Sequence, residues 1–405
     1  TSIKFKIENV VKTSMYISLA VFAMLSVSLV TTFMQSDTKA KETPIAITMN
    51  NYNHASKNKN LYVIVLDATD SVTFERVLES DPDFKDTFND FTYYKDTLSA
   101  YPFTRDSIPF MLTGEWNENV DDFRTYSTKA LNNSKFLNTL ENEGYERNLY
   151  EEELVWDDEK VTNIDNINAL DKKIKIVEYF KNQTKYILFK YLPYPLKKYS
   201  RIESMNYTNC KVVEDIFKSD NDYNYDYIKN MNMEIINKNV FNFYHYQGAH
   251  VPCHYNKQVV NTGVESYDDT VLGTLTMVDT FINKLKEADV YDNSAIIVMA
   301  DHGYGFGRVF YGRQNPILFV KGLNEHHSKL KKSDLPISFA DLMTGYNNLL
   351  DGKQGESVFG NIDKNRERRY MWYKYTEEDH MVEYFTKSKA WETDKMYKSG
   401  KEFDR

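Results

Sequence analysis

The chain has 405 residues, enough for two packed units or for one large α/β domain with an appendage. With 41% hydrophobic residues it can bury a core, and its net charge of −9 argues against nucleic acid as a partner, which would require a basic face. The 31 Tyr and 24 Phe suit strand packing, and two cysteines, Cys210 and Cys253, cannot build a disulfide framework, although a single bridge between them stays open.

Lys4, Lys6 and Lys12 precede an uncharged stretch from Met15 to Met34, about twenty residues long, which is the length of a bilayer-crossing helix. Mixed charges follow it, so the excess of lysine before it places the N-terminus in the cytoplasm and the bulk of the chain outside. An uncleaved signal sequence or a buried core helix would share the pattern, but no Ala-x-Ala cleavage site follows, which favours a membrane anchor. The first residue is Thr rather than Met, which leaves room for an upstream part with further spans. Residues 35–59, polar and without periodicity, are expected to form a tether.

Three apolar runs then read as strands buried on both faces of a parallel sheet. Leu61–Leu66 ends in Asp67. Val240–Tyr244 ends in His245, with His250 five residues on. Ser294–Met299 ends in Ala300-Asp301-His302-Gly303. Residues at the C-terminal tips of such strands face the crevice where open α/β sheets bind ligands. A carboxylate and an imidazole there could ligate zinc, manganese or a related divalent ion, or could simply be a capped turn. A helix is expected from Ser71, as its N-cap, to Ser80. An amphipathic helix should follow from Lys129 toward a strand at Tyr150, and another should span Tyr267 to Ala288. The strand–helix–strand order implies a parallel crossover. In Tyr101–Gly114 the chain turns from an extended segment into a helix near Thr104. A hydroxyl there is either a helix cap or lies in the field of unpaired amides, which lowers its pKa and stabilises an anion bound next to it. The stretch Glu151–Asn239 reads only as helices and loops covering the site, and the tail from Arg368 onward reads as antiparallel strands.

The order of these motifs resembles the alkaline phosphatase superfamily, in its sulfatase-like branch of membrane-anchored phosphotransferases. That branch includes phosphoethanolamine transferases and lipoteichoic acid synthases. Asp67 stands where the transferases end their first strand with a metal-binding Glu. Thr104, Ser107 and Pro109 match a Thr-x-x-Ser-x-Pro run whose Thr is the nucleophile. His245, Gly248, His250 and Pro252 match His-x-x-Gly-x-His-x-Pro, and Asp301, His302 and Gly303 match Asp-His-Gly. The neighbourhoods where the family places a further Glu and His hold Tyr304, Arg308, Tyr311 and Arg313 instead. One metal ion is therefore implied, second-site residues are lacking, and the arginines are available to bind phosphate. Neither cysteine lies in the Cys-x-Pro-Ser-Arg run that matures to formylglycine in sulfatases proper, which disfavours sulfate ester hydrolysis.

The resemblance implies a mostly parallel central sheet sandwiched by helices over residues 60–362, after an anchor at 1–34, with a small C-terminal antiparallel sheet at 363–405. It implies Asp67, Thr104, Asp301 and His302 as ligands of one divalent ion, zinc or manganese. It makes Thr104 and His250 catalytic, and His245, His250, Arg308 and Arg313 substrate-binding. The implied activity is extracytoplasmic transfer of phosphoethanolamine or phosphoglycerol from a membrane phospholipid to a cell-envelope glycan or lipid, through a phospho-threonine. The alternatives are a phosphodiesterase or phosphatase of the same fold and a non-catalytic binding module that kept the fold.

Overall fold

Asn60–Leu66 (β1) is buried at every position, as its unbroken apolar run requires of a strand covered on both faces. It lies in a seven-stranded sheet with Thr92–Tyr94 (β2), Glu146–Tyr150 (β3), Val240–Tyr246 (β4), Ser294–Met299 (β5), Leu318–Lys321 (β6) and Lys331–Ser333 (β7). The strand order is β7-β2-β6-β5-β1-β4-β3. β5, β1, β4 and β3 run parallel, whereas β6 pairs antiparallel with both β5 and β2. The computed structural model describes residues 2–35, 45–84, 86–152, 161, 163–169, 173–174, 176–201, 211–212, 216–305 and 312–404. It comprises two units, Thr1–Thr43 and Pro44–Arg405.

The first unit is the helix Ser2–Gln35 (α1). Its segment Ile7–Ser28 is long and apolar enough to cross a membrane, a property that signal sequences share, and none of it is buried.

In the second unit the helices are Ser71–Ser80 (α2), Thr104–Thr113 (α3), Phe123–Asn133 (α4), Lys135–Asn142 (α5), Ile176–Tyr191 (α6), Tyr267–Glu287 (α7) and Leu342–Leu350 (α8), with a further helix at Asn221–Asn230. Phe281 of α7 meets Tyr62 and Tyr244, each with ring centroids 5.4 Å apart. Phe136 of α5 meets Phe241, also at 5.4 Å. Tyr244 and Phe241 are three positions apart on one strand and so point to opposite faces. Helices therefore cover both sides of the sheet. Much of the tyrosine content goes into this packing. Tyr150 stacks on Tyr244 at 4.9 Å, and buried hydroxyls find partners, as in Tyr52 with Tyr246 at 2.7 Å.

Several expectations are corrected. The tether reading fails from Ile45 onward, because Ile45–Ile47 and His54–Ser56 are strands and Tyr52 is fully buried in the aromatic core. The N-cap of α2 is Asp70, which accepts from the Thr73 amide at 2.8 Å, and not Ser71. The single helix read toward Tyr150 is two, α4 and α5. Ser134 ends the first and caps the second by accepting from the Leu137 amide at 3.2 Å, a job its short polar side chain performs better than a helical interior. His245 lies within β4 rather than beyond it. Arg368–Lys374 (β8), Glu377–Thr386 (β9) and Tyr397–Asp404 (β10) form the small antiparallel sheet.

Candidate active site

Parallel strands in register deliver their following residues to one place. β1 and β4 end together, with Leu66 opposite Tyr246, and Met299 of β5 lies opposite Val65. Asp67, His245, Asp301 and His302 thereby meet at the C-terminal edge of the sheet, all four of them buried. The turn after β4 is pinned to this edge. Gly248 has φ +60°, and a Cβ there would lie 2.3 Å from the Asp67 amide nitrogen, so only glycine fits. The Ala249 amide donates to the Asp67 carbonyl at 2.8 Å, and Asn221 bonds Gly248 through both its carbonyl and its amide.

Asp67, Asp301 and His302 bring one ligand atom each within 4.8 Å of one another and could hold a metal ion. His302 Nε2 is 3.5 Å from both Asp67 Oδ1 and Asp301 Oδ2. Its Nδ1 donates to the Gly303 carbonyl at 2.8 Å, which leaves Nε2 as the nitrogen facing the carboxylates. Asp67 Oδ1 and Asp301 Oδ2 are buried without a hydrogen-bond partner, a costly arrangement for two carboxylates unless a cation joins them. Burial and the adjacent Asp301 push the Asp67 carboxyl well above its usual range, with His245 pulling the other way. Asp301 is equally buried, but His302, His245, Thr104 and the Ala68 amide outweigh that burial and hold it low. Burial drives His302 down to about 4, so its imidazole is neutral at neutral pH, the form that ligates a cation. The residues present fit a divalent ion.

Thr104 is the first residue of α3. The N-cap position is Phe103, which makes no side-chain cap bond, so the Thr104 hydroxyl is not serving as the cap. Its Oγ1 lies 3.5 Å from His302 Nε2. Ser107, one turn on, is fully buried and donates to the Asp301 carbonyl at 2.6 Å, tying the helix start to the ligand turn. Asp106 is also buried and accepts from Tyr373 at 2.6 Å and Asn117 at 2.9 Å.

A cavity of about 310 Å³ opens over these groups, and its lining includes Thr104, His250, His302, Arg313, Tyr373 and Glu378. His250 gives Nδ1 to the Val251 carbonyl at 2.7 Å, so Nε2 is its remaining ring nitrogen. Arg313 stacks over Phe103 at 4.5 Å and donates to the carbonyls of Gly305 and Pro102 at 2.5 and 2.7 Å. Its guanidinium therefore braces the wall of the cavity that it lines. Arg308 and Tyr311 lie outside the described residues, as does Cys210. Cys253 is a buried free thiol.

Glu151 was not anticipated. It follows β3, is buried, and forms a very short ion pair with His245 Nδ1. His245 Nε2 points at Asp67 Oδ2 from 3.8 Å and has no hydrogen-bond partner. Burial alone would lower this histidine, but Glu151 and then Asp67 outweigh it and raise it to about 10. Glu151 follows its strand as Asp67 follows β1, but β3 lacks the unbroken apolar run that would make that position conspicuous. Tyr373, Tyr375 and Glu378, from β8, β9 and the turn joining them, also line the cavity without a local sequence mark.

The fold and this cluster define a sulfatase-like member of the alkaline phosphatase superfamily. The chain belongs to the sulfatase family, whose model matches residues 59–390. A sulfatase-family domain implies an enzyme acting on sulfate or phosphate esters. Among solved structures, a protein of the alkaline phosphatase superfamily from Vibrio parahaemolyticus is similar at 15% identity and TM-score 0.51, covering 88% of this chain and 84% of that one. Ps i-CgsB is similar at 14% identity and TM-score 0.53, covering 81% and 82%. Its complex with k-i-k-neocarrahexaose gives 17% identity, TM-score 0.51 and the same coverage. At these identities the likeness is one of fold. No curated protein matches the sequence.

Proposed function

We propose that the protein is a membrane-anchored, extracytoplasmic phosphotransferase. It takes phosphoethanolamine or phosphoglycerol from a phospholipid and passes it to a cell-envelope glycan or lipid through a phospho-threonine at position 104. The observation that carries this reading is the Thr104 hydroxyl, unused by helix capping and 3.5 Å from His302 at the mouth of the Asp67–Asp301–His302 cluster. A threonine there cannot mature to formylglycine, which disfavours sulfate ester chemistry. The helix α1 supplies the anchor, and its lysine-rich leading end sets the orientation.

Asp67, Asp301 and His302, with the Thr104 oxygen, would hold one zinc or manganese ion. When bound, that ion supplies positive charge against the Thr104 oxygen and the phosphoryl oxygens. Thr104 Oγ1 forms the new bond to phosphorus while the bond from phosphorus to the diacylglycerol oxygen breaks. The proton lost by the threonine is balanced by the one gained by the departing diacylglycerol. The remaining ring nitrogen of His250 bonds a phosphoryl oxygen or delivers that proton. An acceptor hydroxyl then takes the group from Thr104, and the hydroxyl proton is returned to the threonine.

The test is mass spectrometry of the Thr104 peptide after the zinc- or manganese-loaded chain is incubated with phosphatidylethanolamine or phosphatidylglycerol. A headgroup-phosphate adduct on Thr104 supports the reading, and its mass identifies the donor. Adduct turnover that yields only free headgroup phosphate in the presence of envelope glycan points to a hydrolase. Absence of an adduct and of turnover with either lipid would leave the binding-module reading standing.

A further inference from the structure

Helix α6 is turned inside out. At 100° per residue, Val177, Phe180, Thr184, Ile187, Leu188 and Tyr191 fall on one stripe, the spacing of a core-facing helix. Yet this stripe faces away from the protein, with Val177 82%, Phe180 63% and Tyr191 75% exposed. The opposite side carries Glu178, Asn182 and Lys185, with Tyr186 and Phe189 among them, and of these Asn182 is buried. The apolar surface continues into the 3₁₀ segment Tyr194–Ser200, where Tyr194 is 88% exposed and Leu196 and Tyr199 also project. A contiguous apolar and aromatic face of this kind is not left to water without a partner.

Charge names the partner. Between Ile176 and Arg201 there are six basic residues and a single acid, Glu178, in a chain whose net charge is −9. Lys190 sits over the ring of Tyr191 on the stripe, while Lys197 and Lys198 sit over Phe189 and Tyr199, so ammonium groups are interleaved with the exposed rings. Aromatic rings and long aliphatic side chains interleaved with lysine are the composition of a helix lying in a lipid headgroup layer. The same chain carries a helix long and apolar enough to cross a bilayer, so a lipid surface is the partner its own sequence supplies.

We infer that α6 and the segment through Ser200 form an interfacial docking surface for an anionic lipid bilayer, lying flat with the Val177–Tyr191 stripe in the headgroup region. The inference does not depend on which group Thr104 transfers. It is tested by hydroxyl-radical footprinting of the full chain reconstituted into phosphatidylglycerol-containing vesicles and into pure phosphatidylcholine vesicles. Oxidation of Phe180, Tyr191, Tyr194 and Tyr199 is expected to fall severalfold in the anionic vesicles relative to the neutral ones. The triple variant K190E/K197E/K198E should lose that protection, the docked-to-undocked ratio falling about fivefold for each lysine. Lys190 and Lys198 are exposed and Lys197 half-exposed, so the variant keeps its fold, which oxidation at buried Tyr244 as an internal reference would register. Equal oxidation in both vesicle types overturns the inference. So does protection that ignores lipid charge and grows with protein density, because the face is then covered by a second copy of the chain.

Discussion

Thr104 Oγ1 lies 3.5 Å from His302 Nε2, and no helix-capping bond claims it. Thr104→Ala should therefore abolish turnover while leaving fold and metal content nearly intact, a loss on the order of 10⁶ by analogy with other covalent hydrolases. Ser107→Ala is a different lesion. It strips the Asp301 carbonyl of a buried donor and should cost about 1–3 kcal/mol of stability, with a smaller loss of rate. Release of labelled headgroup by the two variants, alongside denaturant titrations, checks the contrast. Wild-type rates in Thr104→Ala would sink the covalent mechanism.

One tightly held divalent ion per chain is expected. Asp301→Asn keeps the oxygen that accepts from Ala68 but removes the charge. Affinity should fall by at least the roughly 10–100-fold that loss of a mere supporting contact costs. Elemental analysis of the purified chain, with calorimetry on the metal-stripped protein, measures both. Two equally tight ions would contradict the single-site reading.

Glu151 and His245 form a buried pair beside Asp67. Glu151→Ala leaves the buried His245 Nδ1 without its partner and should destabilise by about 1–3 kcal/mol, whereas the double variant with His245→Ala should recover part of that loss. A double-mutant cycle by chemical denaturation reads the coupling. Additive effects of the two single changes would mean the contact does not bind the pair.

The His54–Glu146 pair supplies a pH signature far from the metal residues. Glu146 bonds His54 Nδ1 at 2.8 Å and raises this histidine above its ordinary 6.5, while burial pulls the other way. A raised histidine stabilises the fold fully below 6.5, and this contribution disappears as pH rises through the folded value. Burial opposes the lowering of Glu146, but His54 and Asn148 outweigh it. Its contribution is present above 4.5 and fades as pH falls through its depressed value. Unfolding midpoints should therefore decline on the alkaline side for wild type, and His54→Gln should flatten that decline. An unchanged slope would remove His54 as its cause.

The parts of this site that could be read from the sequence are those on β1, β4 and β5. Strands buried on both faces show as unbroken apolar runs, and the first polar residue after each is conspicuous. β3 gave no such signal because it is an edge strand carrying Arg147 and Asn148, which are buried through partners distant in sequence such as Asp165 and Asn242. Glu151 was hidden with it. Residues 45–59 looked like a tether because they are polar, yet Tyr52 and Ala55 anchor them, and the parallel pairing of His54–Ser56 with Glu234–Ile236 has no local mark. The reversed polarity of α6 was equally invisible, since a helical stripe shows which residues share a side but not whether that side faces in or out.

The turn from β8 into β9 reaches back over the cavity. Tyr375 and Glu378 flank its tip, and Glu378 grips Arg105 with both oxygens, at 3.0 and 2.8 Å. Arg105 follows Thr104 in sequence, so a hairpin built some 270 residues away is clasped directly to the start of α3. Lengthening, shortening or recharging this one hairpin would reshape the entrance to the cavity, while the strand-tip carboxylates and histidines keep their places.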